Sequence, residues 1–146
     1  MSRRFRHLNR AWDVELTGAS HGVGFGFPPK VTSWGVWFRP ADEPSADPFY
    51  GSIWRPNPAE LSEDELRKCL EAALVIKALE DPNWDWRTVE GVAESTGLSE
   101  ERVQEVLESS AAVIRSSVPD ERGRPLYTTR KHYKNRRSFL DSLRTT

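Results

Sequence analysis

The chain has 146 residues, of which 37% are hydrophobic and 29% charged. This length fits one domain, or one small domain with a substantial extension. A single cysteine, Cys69, excludes an intramolecular disulfide and fits a reducing compartment. No apolar segment of a secretory signal follows the first arginines, and no apolar run approaches the roughly 18 residues of a membrane span. We therefore expect a cytoplasmic protein without membrane association.

The net charge of −1 hides an uneven distribution of charge along the chain. Residues 59–110 carry fourteen acidic and five basic side chains, whereas residues 121–146 carry eight basic and two acidic ones. Residues 1–12 add four arginines and no acid. Such a distribution steers an anionic partner to one face of a protein and repels it from another.

Residues 1–12 form a basic segment in which arginines alternate with Phe5, Leu8 and Trp12. Two interpretations are open. The segment is either a frayed, solvated terminus or a basic arm that lies along phosphates or on an acidic protein surface.

Residues 1–58 together form an N-terminal extension. This extension holds ten of the fifteen aromatic residues of the chain. The alternation in Val31–Phe38 predicts a strand, and Phe49–Trp54 is its expected hairpin partner. The Gly/Pro-rich stretch 18–30 predicts irregular structure. Because large exposed apolar patches are rare, the aromatic residues must cover either the following helical domain or another chain. The candidate partner-binding aromatic residues are Trp34, Trp37 and Trp54.

No pattern in the sequence indicates catalysis or a cofactor. Gly22, Gly24 and Gly26 are followed by prolines where the helix of a phosphate-binding loop would begin. Ser20 and His21 lack the strand-turn-helix context of a nucleophile elbow. The three histidines are far apart and have no cysteine neighbours at metal-ligand spacing. We expect a non-enzymatic protein with no catalytic residues, no metal site and no cofactor.

The prolines at 56 and 58 predict a boundary, after which residues 59–146 form a helical domain. Ser62 and Glu65 form a capping box at the start of a first helix that Pro82 ends. Asp85 is the expected N-cap of a second helix, and Gly97 supplies the left-handed turn that ends it. Ser99 then caps a third helix, whose inward stripe is Val103, Val106 and Leu107.

Two short strands and a last helix are expected after the third helix. Ala111–Pro119 and Pro125–Thr129 read as strands joined by a turn with Gly123 at its tip. Arg130–Arg144 reads as a closing helix. Its Tyr133, Phe139, Leu140 and Leu143 can pack, while its basic residues stay solvated.

The segments WDWRTVEGVAESTGLSEERVQEVL and RSSVPDERGRPLYTTRKHY resemble a bacterial winged helix-turn-helix domain over residues 61–144. Similar domains occur in regulators and appended to signalling or defence proteins. The resemblance implies a mainly α fold with a small β wing for this part of the chain. The aromatic extension 1–58, with its expected β-hairpin, precedes it and lies outside the resemblance. It also implies duplex DNA binding, with the third helix in the major groove and the wing on the adjacent backbone.

The groove-facing positions of that third helix are mostly acidic, and clustered carboxylates repel phosphates. These positions are Glu100, Glu101, Arg102, Gln104, Glu105 and Glu108. We therefore expect DNA contact through the wing and the last helix, which makes the protein a non-catalytic binding module and a candidate regulator. The candidate nucleic-acid-binding residues are Arg115, Arg122, Arg124, Arg130, Lys131, Lys134, Arg136 and Arg137.

A second hypothesis stays open beside DNA binding. The protein is then an adaptor or scaffold subunit of a bacterial assembly, or a homo-oligomer, in which charge asymmetry drives association. Its docking residues are the tryptophans of the extension, or Glu101 and Glu105 of the third helix. The acidic helix face and the basic run at 130–137 also have a plain interpretation as solvated surfaces.

Overall fold

The computed structural model describes residues 2–21, 32–54 and 61–144. These residues form four helices, a four-stranded antiparallel sheet and a separate two-stranded sheet. The fold is thus mixed α and β, with more strand than the mainly α fold predicted from the sequence. The chain divides into two compact units, Met1–Ala73 and Leu74–Thr146. Residues 55–60, where the sequence predicts the boundary, lie outside the described residues.

The sheet of the first unit is a simple antiparallel meander in the order β1-β2-β3-β4. The predicted hairpin is confirmed, because β3 pairs with β4 and Trp37 lies opposite Tyr50. The sequence did not predict the other two strands, which pair with each other and, through β2, with β3. The four strands are β1 (Ser2–His7), β2 (Arg10–His21), β3 (Thr32–Pro40) and β4 (Phe49–Trp54).

The expected frayed terminus is wrong, because residues 2–7 are an ordered strand. Contact of these arginines with phosphates or with an acidic protein surface stays a prediction. Leu8 and Asn9, with φ of 55° and 58°, make a two-residue turn that returns the chain as β2. Positive φ at both positions is the geometry of the tight hairpin turns that match the twist of the strands. The alternation of arginine with apolar residues is therefore the period-two pattern of a strand whose inward Phe5 is only 4% exposed. The irregular stretch predicted at 18–30 begins as strand up to His21, and residues 22–31 lie outside the described part.

Helix α1 (Glu63–Leu79) begins as the sequence predicts, with the Glu65 amide donating to Ser62 Oγ at 3.2 Å. Leu66 and Leu70 on the inward side of this helix are completely buried. The helix packs on the inner face of the sheet so closely that a Cβ on Gly51 would lie 2.8 Å from Cys69 Sγ. The core of the first unit lies at this contact and includes Val14, Val36 and Phe38.

The second unit contains α2 (Val89–Thr96), α3 (Glu100–Ser109) and α4 (Arg130–Arg144). Gly97, with φ of 80°, ends α2, and Ser99 Oγ accepts from the Arg102 amide at 3.2 Å. Both features confirm the predicted turn between two helices. The predicted N-cap Asp85 is wrong. Thr88 caps α2 instead, accepting from the Gly91 amide at 3.1 Å.

The small sheet is shorter than predicted, with strands β5 (Val113–Arg115) and β6 (Tyr127–Thr129). Arg87 extends this sheet by one residue beside β6, because it exchanges two backbone hydrogen bonds with Tyr127, at 2.9 and 2.8 Å. This bridge joins the residues before α2 to the strand before α4. The apolar stripe predicted for α3 is confirmed by the burial of its members, which are Val103, Val106 and Leu107.

None of the helices in the described ranges combines the length and the apolar character that crossing a membrane would require.

Candidate nucleic-acid interface

The outer face of α3 carries a dense set of carboxylates. Glu100, Glu101, Glu105 and Glu108 are all exposed. Arg102 forms an ion pair with Glu105, and Gln104 donates to Glu108 at 2.9 Å. Arg102 and Gln104 are therefore both bonded to glutamates of the same helix. A phosphate backbone approaching this face would meet uncompensated negative charge.

Asp120 organises the tip of the β5–β6 connection. Its carboxylate accepts from the amides of Arg122 and Arg124, at 2.9 and 2.7 Å, and from Arg124 Nε at 2.8 Å. The Arg124 amide, together with the Arg124 guanidinium and the Arg122 amide, holds the pKa of Asp120 below its ordinary value. Gly123, with φ of 77°, permits the turn. Arg124 also lies 4.0 Å from Glu90, so its charge is already balanced.

The exposed basic residues of α4 follow helical spacing. Arg130, Lys134 and Arg137 are separated by four and three residues, so they lie along one face of the helix. All three side chains are exposed, and so is Lys131 beside them. On the opposite side, His132 is only 8% exposed and its Nε2 lies 2.7 Å from the Trp84 carbonyl oxygen. The helix therefore packs through its His132 side, and the opposite face is exposed to solvent. We call the exposed residues Arg130, Lys134 and Arg137 the basic stripe.

Two of the candidate residues on α4 also make contacts within the second unit. Arg130 Nε donates to the Ala111 carbonyl at 3.0 Å. Arg136 Nε donates to Asp85 at 2.5 Å, in an ion pair whose two side chains are about half exposed. Asp85, predicted as a helix cap, therefore serves as a partner of the last helix.

The eight predicted nucleic-acid-binding residues thus fall into two groups. The side chains of Arg124, Arg130 and Arg136 donate hydrogen bonds inside the unit, to Asp120, to the Ala111 carbonyl and to Asp85. The other five are exposed and form no ion pair with a residue in the described part of the chain. They are Arg115, Arg122, Lys131, Lys134 and Arg137.

The predicted partner-binding residues have different surroundings. Trp37 is 37% exposed and its ring lies 4.7 Å from that of Tyr50, centroid to centroid. Trp34 is half-buried, and the side chain of Trp54 lies outside the described part. Glu101 and Glu105 are exposed on α3. Of Trp34 and Trp37, the two predicted tryptophans whose side chains are described, Trp37 is the more exposed.

Arg87 links several segments of the second unit, and no pattern in the sequence predicted this role. Its guanidinium donates to Ala78 and Gly91 carbonyl oxygens at 3.2 and 3.0 Å, and to Ser95 Oγ at 3.2 Å. It also lies 5.3 Å above the ring of Trp84. The signal available in the sequence is weak, since an arginine between a tryptophan and a helix cap has no characteristic spacing.

The described residues contain no group of three or more His, Cys, Asp or Glu side chains that could hold a metal ion. Burial raises the pKa of the Cys69 thiol to about 11, so it stays protonated and is a weak nucleophile near neutral pH. Searches against protein-family models, curated proteins and solved structures found no match to this chain.

Proposed function

We propose that the second unit is a winged helix-turn-helix module that binds nucleic acid without catalysis, chiefly through the phosphate backbone. The observation that carries the proposal is the basic stripe of α4, Arg130, Lys134 and Arg137, exposed on one helix face. Cations spaced along a helix neutralise successive phosphates and release bound counterions. Lys131 and the tip residue Arg122 extend the same set.

The arrangement of elements supports the winged-helix interpretation. Helix α2, the Gly97 turn and α3 follow one another, and β5 and β6 then form a two-stranded ribbon. The backbone bridge between Arg87 and Tyr127 adds the short third segment before α2. These features are those expected of a helix-turn-helix followed by a wing.

The charge of α3 argues for an unusual mode of binding. In most helix-turn-helix proteins the second helix of the motif enters the major groove. Here that helix exposes Glu100, Glu101, Glu105 and Glu108, which repel phosphates. Binding through α4 and the tip of the wing then positions the protein on the backbone with little reading of base sequence. A role in regulation would then require further contacts that direct the protein to a particular DNA site.

The salt dependence of binding tests this proposal. We expect the affinity for a 20-base-pair DNA duplex, measured by fluorescence anisotropy between 50 and 200 mM NaCl, to fall steeply with salt. Replacing Lys131, Lys134 and Arg137 together by alanine should reduce the slope of log K against log salt by about 2 to 3, since each lost phosphate contact removes about 0.9.

Arg136→Ala is the matched control on the same helix. Because Arg136 is paired with Asp85, its loss should change the slope by less than about 1. Equal salt slopes for the wild-type protein and the triple variant would contradict the proposal. So would binding that is insensitive to salt.

The acidic face of α3 favours a second candidate function, that of a protein adaptor. Exposed Glu101 and Glu105 would dock on a basic surface of another protein or of a second copy. Co-purification of a partner from the native host that is lost in a Glu101→Gln, Glu105→Gln variant would favour the adaptor. A monomer by light scattering, with no partner retained by the wild-type protein, would count against it.

A further inference from the structure

An exposed tyrosine lies within the basic stripe of α4. Tyr133 comes three residues after Arg130, directly before Lys134 and four residues before Arg137. These four positions follow the spacing of one helix face, on which residues three and four apart have Cβ atoms about 5 to 6 Å apart. Tyr133 is 44% exposed. One aromatic ring and three cations therefore share a single solvent-facing surface.

The segment before α2 holds this ring in position. The rings of Trp86 and Tyr133 lie 5.8 Å apart, centroid to centroid, and their planes meet at 56°. Asp85, the preceding residue, accepts from Arg136 Nε at 2.5 Å, one helical turn beyond the tyrosine. A tilted aromatic pair is stable without face-to-face stacking. The tyrosine ring is therefore fixed from one side, and almost half of its surface is still accessible.

The charges around the ring favour an anionic partner. Lys134 and Arg137 are exposed and form no ion pair with a residue in the described ranges. Arg130 donates to a backbone carbonyl, which carries no net charge, so its own charge is not balanced. The first turn of α4 contains no acidic residue, and Asp85 is paired with Arg136. Phosphates are therefore attracted to the surface that carries the ring.

A DNA duplex cannot use an aromatic ring in this position. The faces of its bases are stacked inside the double helix, and a side chain outside meets phosphates, sugars and base edges. The bases of a single strand can leave the stack, and each then offers a face to an aromatic side chain. Proteins that bind single strands combine such rings with cations that follow the backbone. The acidic outer face of α3, which opposes entry into the major groove, fits the same mode of binding.

We propose that α4 prefers single-stranded DNA, with an unpaired base stacked on Tyr133 and the adjacent phosphates bound by Arg130, Lys134 and Arg137. This inference rests on the proposed function, of which it names the preferred form of DNA. The cations attract any phosphate backbone, whereas the ring contributes only where a base is unpaired. Tyr133 is therefore the residue that distinguishes a single strand from a duplex.

Three fluorescently labelled probes test the preference with the full-length wild-type protein. They are a 20-nucleotide oligothymidylate, a 20-base-pair duplex and an abasic oligomer of 20 units, which keeps the phosphates of a single strand without its bases. Fluorescence anisotropy at 100 mM NaCl measures the three affinities. We expect oligothymidylate to bind about tenfold more tightly than the abasic oligomer, since stacking of one base contributes this much, and also more tightly than the duplex.

Variants of the ring separate stacking from charge. Tyr133→Leu should weaken oligothymidylate about tenfold and leave the duplex and the abasic oligomer within about threefold of the wild-type affinity. Tyr133→Phe keeps a ring that can stack and should bind like the wild-type protein. The matched control is Tyr50→Leu, because Tyr50 is also an exposed tyrosine beside a tryptophan ring, but lies in the first unit. It should change none of the three affinities, and circular dichroism verifies that each variant is folded.

The failure of this inference differs from the failure of the proposed function. Equal affinity of the wild-type protein for oligothymidylate and the abasic oligomer would overturn the inference, and so would tighter binding of the duplex than of oligothymidylate. An equal loss for all three probes in Tyr133→Leu would also overturn it. Each of these results leaves the proposed function standing if duplex binding still falls steeply with salt. Absence of salt-dependent binding to every probe would overturn both.

Discussion

The two ends of this chain are both rich in basic residues, but the fold gives their cations different surroundings. In the N-terminal strands, Arg3 donates to the Leu61 carbonyl, Arg4 to Asp13, and Arg10 to both Asp42 and Glu43. In α4, Lys131, Lys134 and Arg137 are exposed and have no ion-pair partner among the described residues. Charge alone therefore does not mark a binding surface. What matters is whether the fold supplies each cation with an acceptor of its own.

Two matched charge reversals test most directly whether unpaired cations, and not net charge, determine DNA binding. Lys131→Glu with Lys134→Glu, and Arg4→Glu with Arg10→Glu, change the formal charge by the same amount. We expect the first variant to bind a DNA duplex about 100-fold more weakly at 0.1 M salt and the second within about threefold of the wild-type protein. Anisotropy measures both, with circular dichroism to verify that each variant is folded. Equal losses would mean that net charge, and not the exposed cations of α4, determines binding.

Helix α1 approaches strand β4 closely, and a substitution at Gly51 tests this contact. In Gly51→Ala the new Cβ would meet Cys69 Sγ at 2.8 Å, so we expect the free energy of unfolding to fall by about 1 to 3 kcal/mol. The next contacts, at 3.7 and 3.8 Å, are ordinary. Adding Cys69→Ala should restore most of the loss in urea denaturation. Additive effects of the two substitutions would show that the sulfur is not the obstacle.

Arg3 should matter for stability, in contrast to the exposed cations of α4. Its Nη1 donates to the Leu61 carbonyl at 2.6 Å in a partly buried contact. We expect Arg3→Ala to lower the free energy of unfolding by about 1 to 2 kcal/mol, and Lys134→Ala to change it by less than about 0.5 kcal/mol. Urea denaturation compares them. A stability loss at Lys134 as large as that at Arg3 would remove the distinction between the two ends.

The smallest expected effect concerns two aspartates, one in each unit. The Arg4 guanidinium holds the pKa of Asp13 below its ordinary value, whereas the Arg124 amide is the main cause at Asp120. Carboxyl ¹³C titration should therefore show Arg4→Ala returning the pKa of Asp13 toward 3.8, and Arg124→Ala returning that of Asp120 only in part, because the backbone amides remain.

The sign of the pH effect follows from these lowered pKa values. Both carboxylates bind protons less readily in the folded than in the unfolded protein. Their contribution to stability is present above the ordinary value of 3.8 and is lost as the pH falls through the folded pKa below it. An unchanged pKa of Asp13 in Arg4→Ala would mean that the cross-strand pair is not formed in solution.

The sequence by itself determined the features that depend on near neighbours. Ser62 and Ser99 as caps, the Gly97 turn, the span of α4 and the pairing of β3 with β4 all follow from short-range patterns. Even β1 was present in the alternation of arginine with Phe5, although a run of positive charge led to the interpretation of a loose arm. Local patterns succeed because caps, turns and periodicity depend on residues a few positions apart.

Only the tertiary structure decided which cations remain available. Arg3 meets Leu61, Arg10 meets Asp42, and Arg136 meets Asp85, across separations of 58, 32 and 51 residues. The pairing of β2 with β3, which places Val14 opposite Phe38, likewise depends on strand register. No local window contains such pairs, because they form only after the chain has brought distant segments together. The sequence thus supplied the charges, and the fold determined which of them are balanced and which face solvent.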